Sequence, residues 1–190
     1  PHRERQRVLL TGLLPDITSD PAIETATDSL EVGRSGTIVA PVGIRPPLLA
    51  AVATRAATPL VVLTATGRDA ETLTNALASW IPGVAMLPAW ETLPHERLSP
   101  QVDTMARRIA VLRRLVHPIA GDESAGPISV LVVPIRAFLQ PIISGLADLE
   151  PVRVRTGDIL DLTETTNRLA ELGYERVDMV EGRGQMSVRG

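Results

Sequence analysis

Residues 59–65 read Pro-Leu-Val-Val-Leu-Thr-Ala, a continuous apolar run rich in β-branched side chains and opened by a proline. A run this short and this apolar is a strand of a buried sheet. Working outward from it, Ala70, Leu73, Leu77 and Trp80 recur at helical spacing across 69–80, and Val84–Leu87 is a second short strand. On the N-terminal side, residues 48–53 after Pro46-Pro47 read as a helix and Gly36–Ala40 as a strand. Ser19-Asp20-Pro21 announces an earlier helix running to about Leu30, because a cap residue followed by proline suits a first helical turn. Further along come a proline-bracketed loop from Pro88 to Pro100 and a long helix over 102–116. On that helix Met105, Ile109, Leu112 and Val116 form one stripe, with arginine pairs opposite. A loop over 117–127, a buried strand over 129–133 and a broken helix over 135–146 complete the series. Strands alternating with helices predict an α/β fold: a parallel sheet with helices on both faces.

The pattern changes after Leu149. Residues 151–155 alternate apolar with arginine, as a half-exposed strand does, and a helix over about 160–172 ends at Gly173. Two extended segments, 176–181 and 185–188, flank Gly182-Arg183-Gly184, which reads as a hairpin turn. A boundary near residue 150 therefore separates a first domain, 1–150, from a small α+β domain, 151–190.

Composition narrows the chemistry. All 19 basic residues are arginine, so Schiff-base, lysine-base and P-loop ammonium chemistry are excluded. The absence of cysteine excludes disulfides, thiolate nucleophiles and sulfur-ligated metals, and it suits a reducing cytoplasm. A net charge of -3 gives no electrostatic reason to expect avid nucleic-acid binding. The charged start, Pro1-His2-Arg3-Glu4-Arg5, lacks the apolar region of a signal peptide, and no run is long enough to span a membrane.

In α/β sheets the loop from the first core strand to its helix is the natural phosphate site. Here it reads Ala40-Pro41-Val42-Gly43-Ile44-Arg45-Pro46-Pro47. Phosphate binding of the P-loop kind needs exposed glycine amides, a lysine and a magnesium-binding hydroxyl. Gly43 is the only glycine, the prolines carry no N–H, and lysine, serine and threonine are all missing. Arg45 reads as a solvated arginine at a helix start. The loop has the position of a nucleotide site without its chemistry, so no nucleotide is expected to bind.

Two segments carry a resemblance. One is Leu87-Pro88-Ala89-Trp90-Glu91-Thr92-Leu93-Pro94-His95-Glu96, continuing through Ser99-Pro100, Asp103 and Arg108 to Leu115. The other is Leu172-Gly173-Tyr174-Glu175-Arg176-Val177-Asp178-Met179-Val180, followed by Glu181-Gly182-Arg183-Gly184-Gln185 and Val188-Arg189-Gly190. Together they resemble the N-terminal region of the transcription-repair coupling factor (Mfd) family, whose first two domains are similar to the excision-repair helicase UvrB. An actinobacterial source is expected.

The resemblance implies a RecA-like first domain that has lost its ATP site. It also implies the N-terminal part of a domain for binding UvrA, incomplete at residue 190. UvrB carries a damage-probing β-hairpin that this family lacks, and Pro94 and Ser99 leave no room for one. The resemblance further implies that ATP, magnesium, DNA and RNA polymerase belong to motor and polymerase-binding parts further along the parent, an ATP-dependent DNA translocase. An intramolecular contact with the parent's C-terminal part is implied as well.

For this chain itself the expectation is no catalysis, no cofactor and no metal. His95 and Glu96 lack a converging third group, because His2 and His117 are predicted to lie in a tail and a surface loop. Trp90 is read as the packed anchor of its loop. The pairs Arg107-Arg108 and Arg113-Arg114 read as a solvated helix face. By motif position Arg189 matches an arginine that contacts UvrA in the family. Arg176 and Arg183 lie on matching segments, and Met186 stands where UvrB has an aromatic residue. The competing readings are a DNA-binding module and an NTP-hydrolysing domain.

Overall fold

The computed structural model describes residues 9–28, 35–92 and 101–189. They form two compact units that interleave along the sequence. One takes Pro1–Ala89 and Pro118–Pro141, the other Trp90–His117 and Ile142–Gly190.

The first unit is an α/β layer built on strand β3 (Val130–Pro134), which pairs in parallel with β1 (Leu60–Thr64) on one side and β2 (Val84–Met86) on the other. Val130 is the register partner of both Leu60 and Val84. All five positions of β3 are buried, so both faces of the central strand are covered. β1 instead alternates, with Val61 and Leu63 about half exposed. It is an edge strand with one open face, whereas its sequence reads as wholly apolar.

Helices close the layer. α3 (Arg45–Arg55) starts with Pro46 and Pro47 in its first turn, where a missing N–H costs nothing. Its fully buried Ala50 and Ala51 leave room for close helix packing. α4 (Gly67–Leu77) starts on Thr66, whose hydroxyl accepts from the Asp69 amide at 3.1 Å and donates to the Asp69 carboxylate at 2.8 Å. Such a reciprocal cap contributes about 1 kcal/mol. α1 (Leu14–Thr18) and α2 (Pro21–Asp28) pack on α3, and the Asp20 carboxylate caps α2 by accepting from the Ala22 amide at 2.8 Å. The core joins Leu14, Ala50, Ala53, Ala70, Leu77, Ile81, Val130 and Val132. Gly83 adopts φ 74° just before β2, beside the entry to β3, and a Cβ there would lie 2.8 Å from the Ser129 hydroxyl. Only glycine fits that crossing. α6 (Ile135–Phe138) follows β3 directly, and the helix expected over 135–146 is broken as its sequence suggests.

The second unit centres on α5 (Val102–Val116). Near its C-terminal end, Arg113 Nη1 donates to the Leu149 carbonyl at 3.1 Å, and His117 Nε2 lies 2.7 Å from Asp148 Oδ1. α7 (Leu162–Glu171) is capped by Asp161, whose carboxylate accepts from the Glu164 amide at 2.8 Å, and it is followed by Gly173 at φ 86°.

Several expectations are corrected. Gly36–Ala40 joins no strand ladder, and Val39 is almost fully exposed, so its β-rich composition finds no partner here. Residues 151–155 likewise form no strand. The Gly182–Gly184 turn does not close a hairpin. β4 (Glu175–Arg176) and β5 (Gln185–Met186) run parallel, because the chain bends at Asp178-Met179 and again at the turn. Pro94, His95, Glu96, Ser99 and Pro100 lie outside the described residues.

Leu77→Ala should lower the unfolding free energy by about 2–5 kcal/mol in a denaturant titration, since it opens a cavity in a sealed core. Leu63→Ala, on the open face of β1, should cost well under half as much.

Candidate protein-binding site

β4 and β5 are held by main-chain bonds from the Glu175 amide to the Gly184 carbonyl (2.8 Å) and from the Val177 amide to the Met186 carbonyl (2.9 Å). As the two segments leave this ladder, Arg176-Val177-Asp178 and Ser187-Val188-Arg189 line a shallow groove of about 530 Å³. Across it, the Asp178 carbonyl accepts from the Ser187 hydroxyl at 3.0 Å and from Arg189 Nη2 at 3.5 Å. That long contact uses one of the five guanidinium donors of Arg189. Arg176 makes no ion pair or side-chain hydrogen bond with the described residues. The groove thus presents two planar cationic forks, a geometry suited to carboxylates.

Of the three arginines singled out by sequence, Arg176 and Arg189 meet here and Arg183 does not. Arg183 sits in the turn before β5 and pairs with Asp103 of α5 at 3.2 Å. Asp103 also pairs with Arg107 at 2.8 Å. Met186 is buried, so it offers no exposed apolar contact in place of an aromatic.

Gly43, Arg45, Pro46 and Pro47 belong to the other unit. A Cβ on Gly43 would meet nothing within 4 Å, so nothing crowds the backbone there. A phosphate at the start of α3 needs free amides. The Ile44 amide donates to the Pro41 carbonyl and the Arg45 amide to the Val42 carbonyl, while Pro46 and Pro47 have no amide hydrogen. The backbone positions 44–47 at the helix mouth are thus accounted for, and none offers a free amide; the one donor there is the Arg45 side chain. Among the described residues no three His, Asp or Glu side chains converge to hold a metal ion, and no helix is long and apolar enough to cross a membrane.

The groove lies in a segment that matches a known family. Residues 152–190 match the UvrB interaction domain family. The chain is 47% identical over 156 residues to the transcription-repair-coupling factor of Mycobacterium tuberculosis, a match covering 81% of the chain and 12% of that protein. It is 27% identical over 145 residues to the Escherichia coli protein of the same name, covering 75% and 12% respectively. The Myxococcus xanthus protein is 32% identical over 111 residues, covering 57% and 9%. The chain therefore spans about an eighth of the length of the M. tuberculosis and E. coli relatives.

Sequence reasoning missed Arg108. Read as part of a solvated stripe, it is 1% exposed and the largest fully buried side chain. Its guanidinium carbon lies 4.4 Å from the centroid of the Trp90 ring, a cation–π contact in a desolvated setting. Burial holds its pKa below the ordinary arginine value, yet an arginine stays charged there at neutral pH. One turn away, the Thr104 hydroxyl donates to the Glu91 carboxylate. The signal was present: Thr104, Arg108, Val111 and Leu112 fall at i, i+4, i+7 and i+8, and that is the buried face of α5. The stripe read from Met105 to Val116 shares Leu112 with that face but is otherwise rotated off it, with Met105 and Val116 exposed.

In a Trp80→Phe background, Arg108→Ala should shift Trp90 emission to longer wavelength. It should also lower stability by about 2 kcal/mol or more, from the lost stacking and the void. Arg107→Ala, on the exposed side of the same helix, should do neither.

Proposed function

Starting from a chain that is a relative of the transcription-repair-coupling factors and matches the UvrB interaction domain over residues 152–190, we propose that it is a non-catalytic docking module that recruits UvrA during transcription-coupled excision repair. The parent, on this reading, is an ATP-dependent translocase that displaces a stalled RNA polymerase on DNA, with ATP and magnesium confined to its motor. Residues 1–150 would be a degenerate RecA-like domain and 151–190 the start of the UvrA-binding domain. That division is one of ancestry, and it differs from the two contact units.

The observation that carries the reading is the pairing of Arg176 and Arg189 across one groove, inside the segment that matches the UvrB interaction domain. Two guanidinium forks lining one groove favour a partner surface bearing carboxylates. Electrostatic complementarity of this kind selects the partner and speeds encounter more than it adds affinity. Arg183 belongs to the same segment, but its bond to Asp103 argues for a supporting part.

The NTP-hydrolysing alternative is disfavoured by the start of α3, whose amides are spent and whose loop lacks lysine, serine and threonine. The DNA-binding alternative is disfavoured by the burial of Arg108 and the pairing of Arg107 with Asp103, which leave fewer cations for phosphates on α5.

Titrating purified UvrA should show binding to this chain, weakened by Arg189→Ala by roughly 2 kcal/mol or more if that arginine is desolvated in the complex. Arg176→Ala should weaken it to a lesser extent. Wild-type affinity in both variants would remove the groove from the interface. Calorimetry with magnesium-ATP should give no binding heat.

A further inference from the structure

The turn that feeds Arg189 into the groove is held from outside the groove. Gln185 Oε1 accepts from the Glu181 amide at 2.9 Å and the Gly182 amide at 3.0 Å, closing the turn on itself. Gly184 takes φ 81°, and a Cβ on it would lie 3.3 Å from a methyl of Val102, the first residue of α5. Next to that contact, Asp103 binds Arg183 at 3.2 Å. The turn is therefore tied to α5 by charge at Arg183 and lies close beside it at Gly184, and β5 leaves it directly for Ser187 and Arg189.

We propose that Asp103 is a positioning residue for the arginine groove, acting through Arg183 to fix the 181–185 turn and so the exit of β5 toward Arg189. This rests on the groove being the partner site. Three structural features favour positioning over direct contact. Arg183 is absent from the groove lining, whereas its neighbours in sequence on β5 lead straight to it. Its guanidinium is engaged by a carboxylate already shared with Arg107, which orients Asp103 along its own helix at i, i+4. The turn has no buried side chain of its own to hold it, since the first buried residue after it is Met186. An exposed ion pair contributes little to global stability. It suffices to bias a short turn whose ends are already fixed, because little conformational entropy is left to oppose it.

The test measures amide hydrogen exchange at residues 181–187 together with UvrA affinity, in the full 190-residue chain. Asp103→Asn and Arg183→Ala should each speed exchange in the turn several-fold and weaken UvrA binding about 3- to 10-fold. Arg183→Lys should return both to within about twofold of wild type. Arg107→Ala, which leaves the Asp103–Arg183 bond in place, should change neither. Weaker binding in Arg183→Ala with unchanged exchange would make Arg183 a direct contact and overturn the proposal. Faster exchange with wild-type affinity would overturn it as well, provided Arg189→Ala still weakens binding. Should Arg189→Ala bind as wild type, the groove reading fails instead, and unchanged exchange in Asp103→Asn would then sink the positioning claim separately.

Discussion

Complete burial of β3 is the constraint from which the first unit follows. A parallel strand flanked on both edges and covered on both faces can carry no polar side chain, and Val130–Pro134 carries none. Because the same residue, Val130, sets the register of both neighbours, a slip of β3 would misplace β1 and β2 together. The helices that seal the layer are cut to match. Small residues on α3 and the fully buried Leu77 of α4 sit where the strand leaves room, and Gly83 lets β2 start hard against the entry to β3.

The second unit rests on different physics. It has few buried apolar side chains, and α7 has none. Its order comes from caps, turns and arginine contacts: Asp161 on α7, Arg113 on the Leu149 carbonyl, Asp103 on Arg183, and Arg108 beneath Trp90. In a protein without lysine, arginine serves both as interior stacking group and as surface fork, and burial alone separates the two roles.

Elements whose signal is local were legible in the sequence. The apolar runs at 60–64, 84–86 and 130–134, the Asp20 cap and the Gly173 stop need no distant partner to be read. What failed was what depends on distant partners. Gly36–Ala40 has strand composition but no neighbour to pair with, and Val61 shows that a continuous apolar run does not prove two covered faces. A two-residue ladder such as β4–β5 has no periodicity from which its direction can be read, so glycines at 182 and 184 suggested a hairpin that the chain does not make. At the groove, Arg176 and Arg189, singled out by motif position, line the same walls, a proximity that no sequence pattern announces. The Asp103–Arg183 bond spans eighty residues of sequence and left no pattern. Arg108 has the residue type of a solvated face but the helical phase of the buried one, and the phase decides its place.

The prolines opening α3 also bear on descent. Pro47 is buried and Pro46 partly so, and both fit the helical first turn without strain. Exchanging either for an amide-bearing residue gives back one donor at most, while the neighbouring amides stay committed to Pro41 and Val42 and the loop still has no ammonium. Replacing either proline alone therefore adds little anion affinity and gives up a rigid helix start. On the proposed descent from a nucleotide-binding fold, the passage to a plain helix mouth is a one-way door, closed by the very residues that now begin the helix.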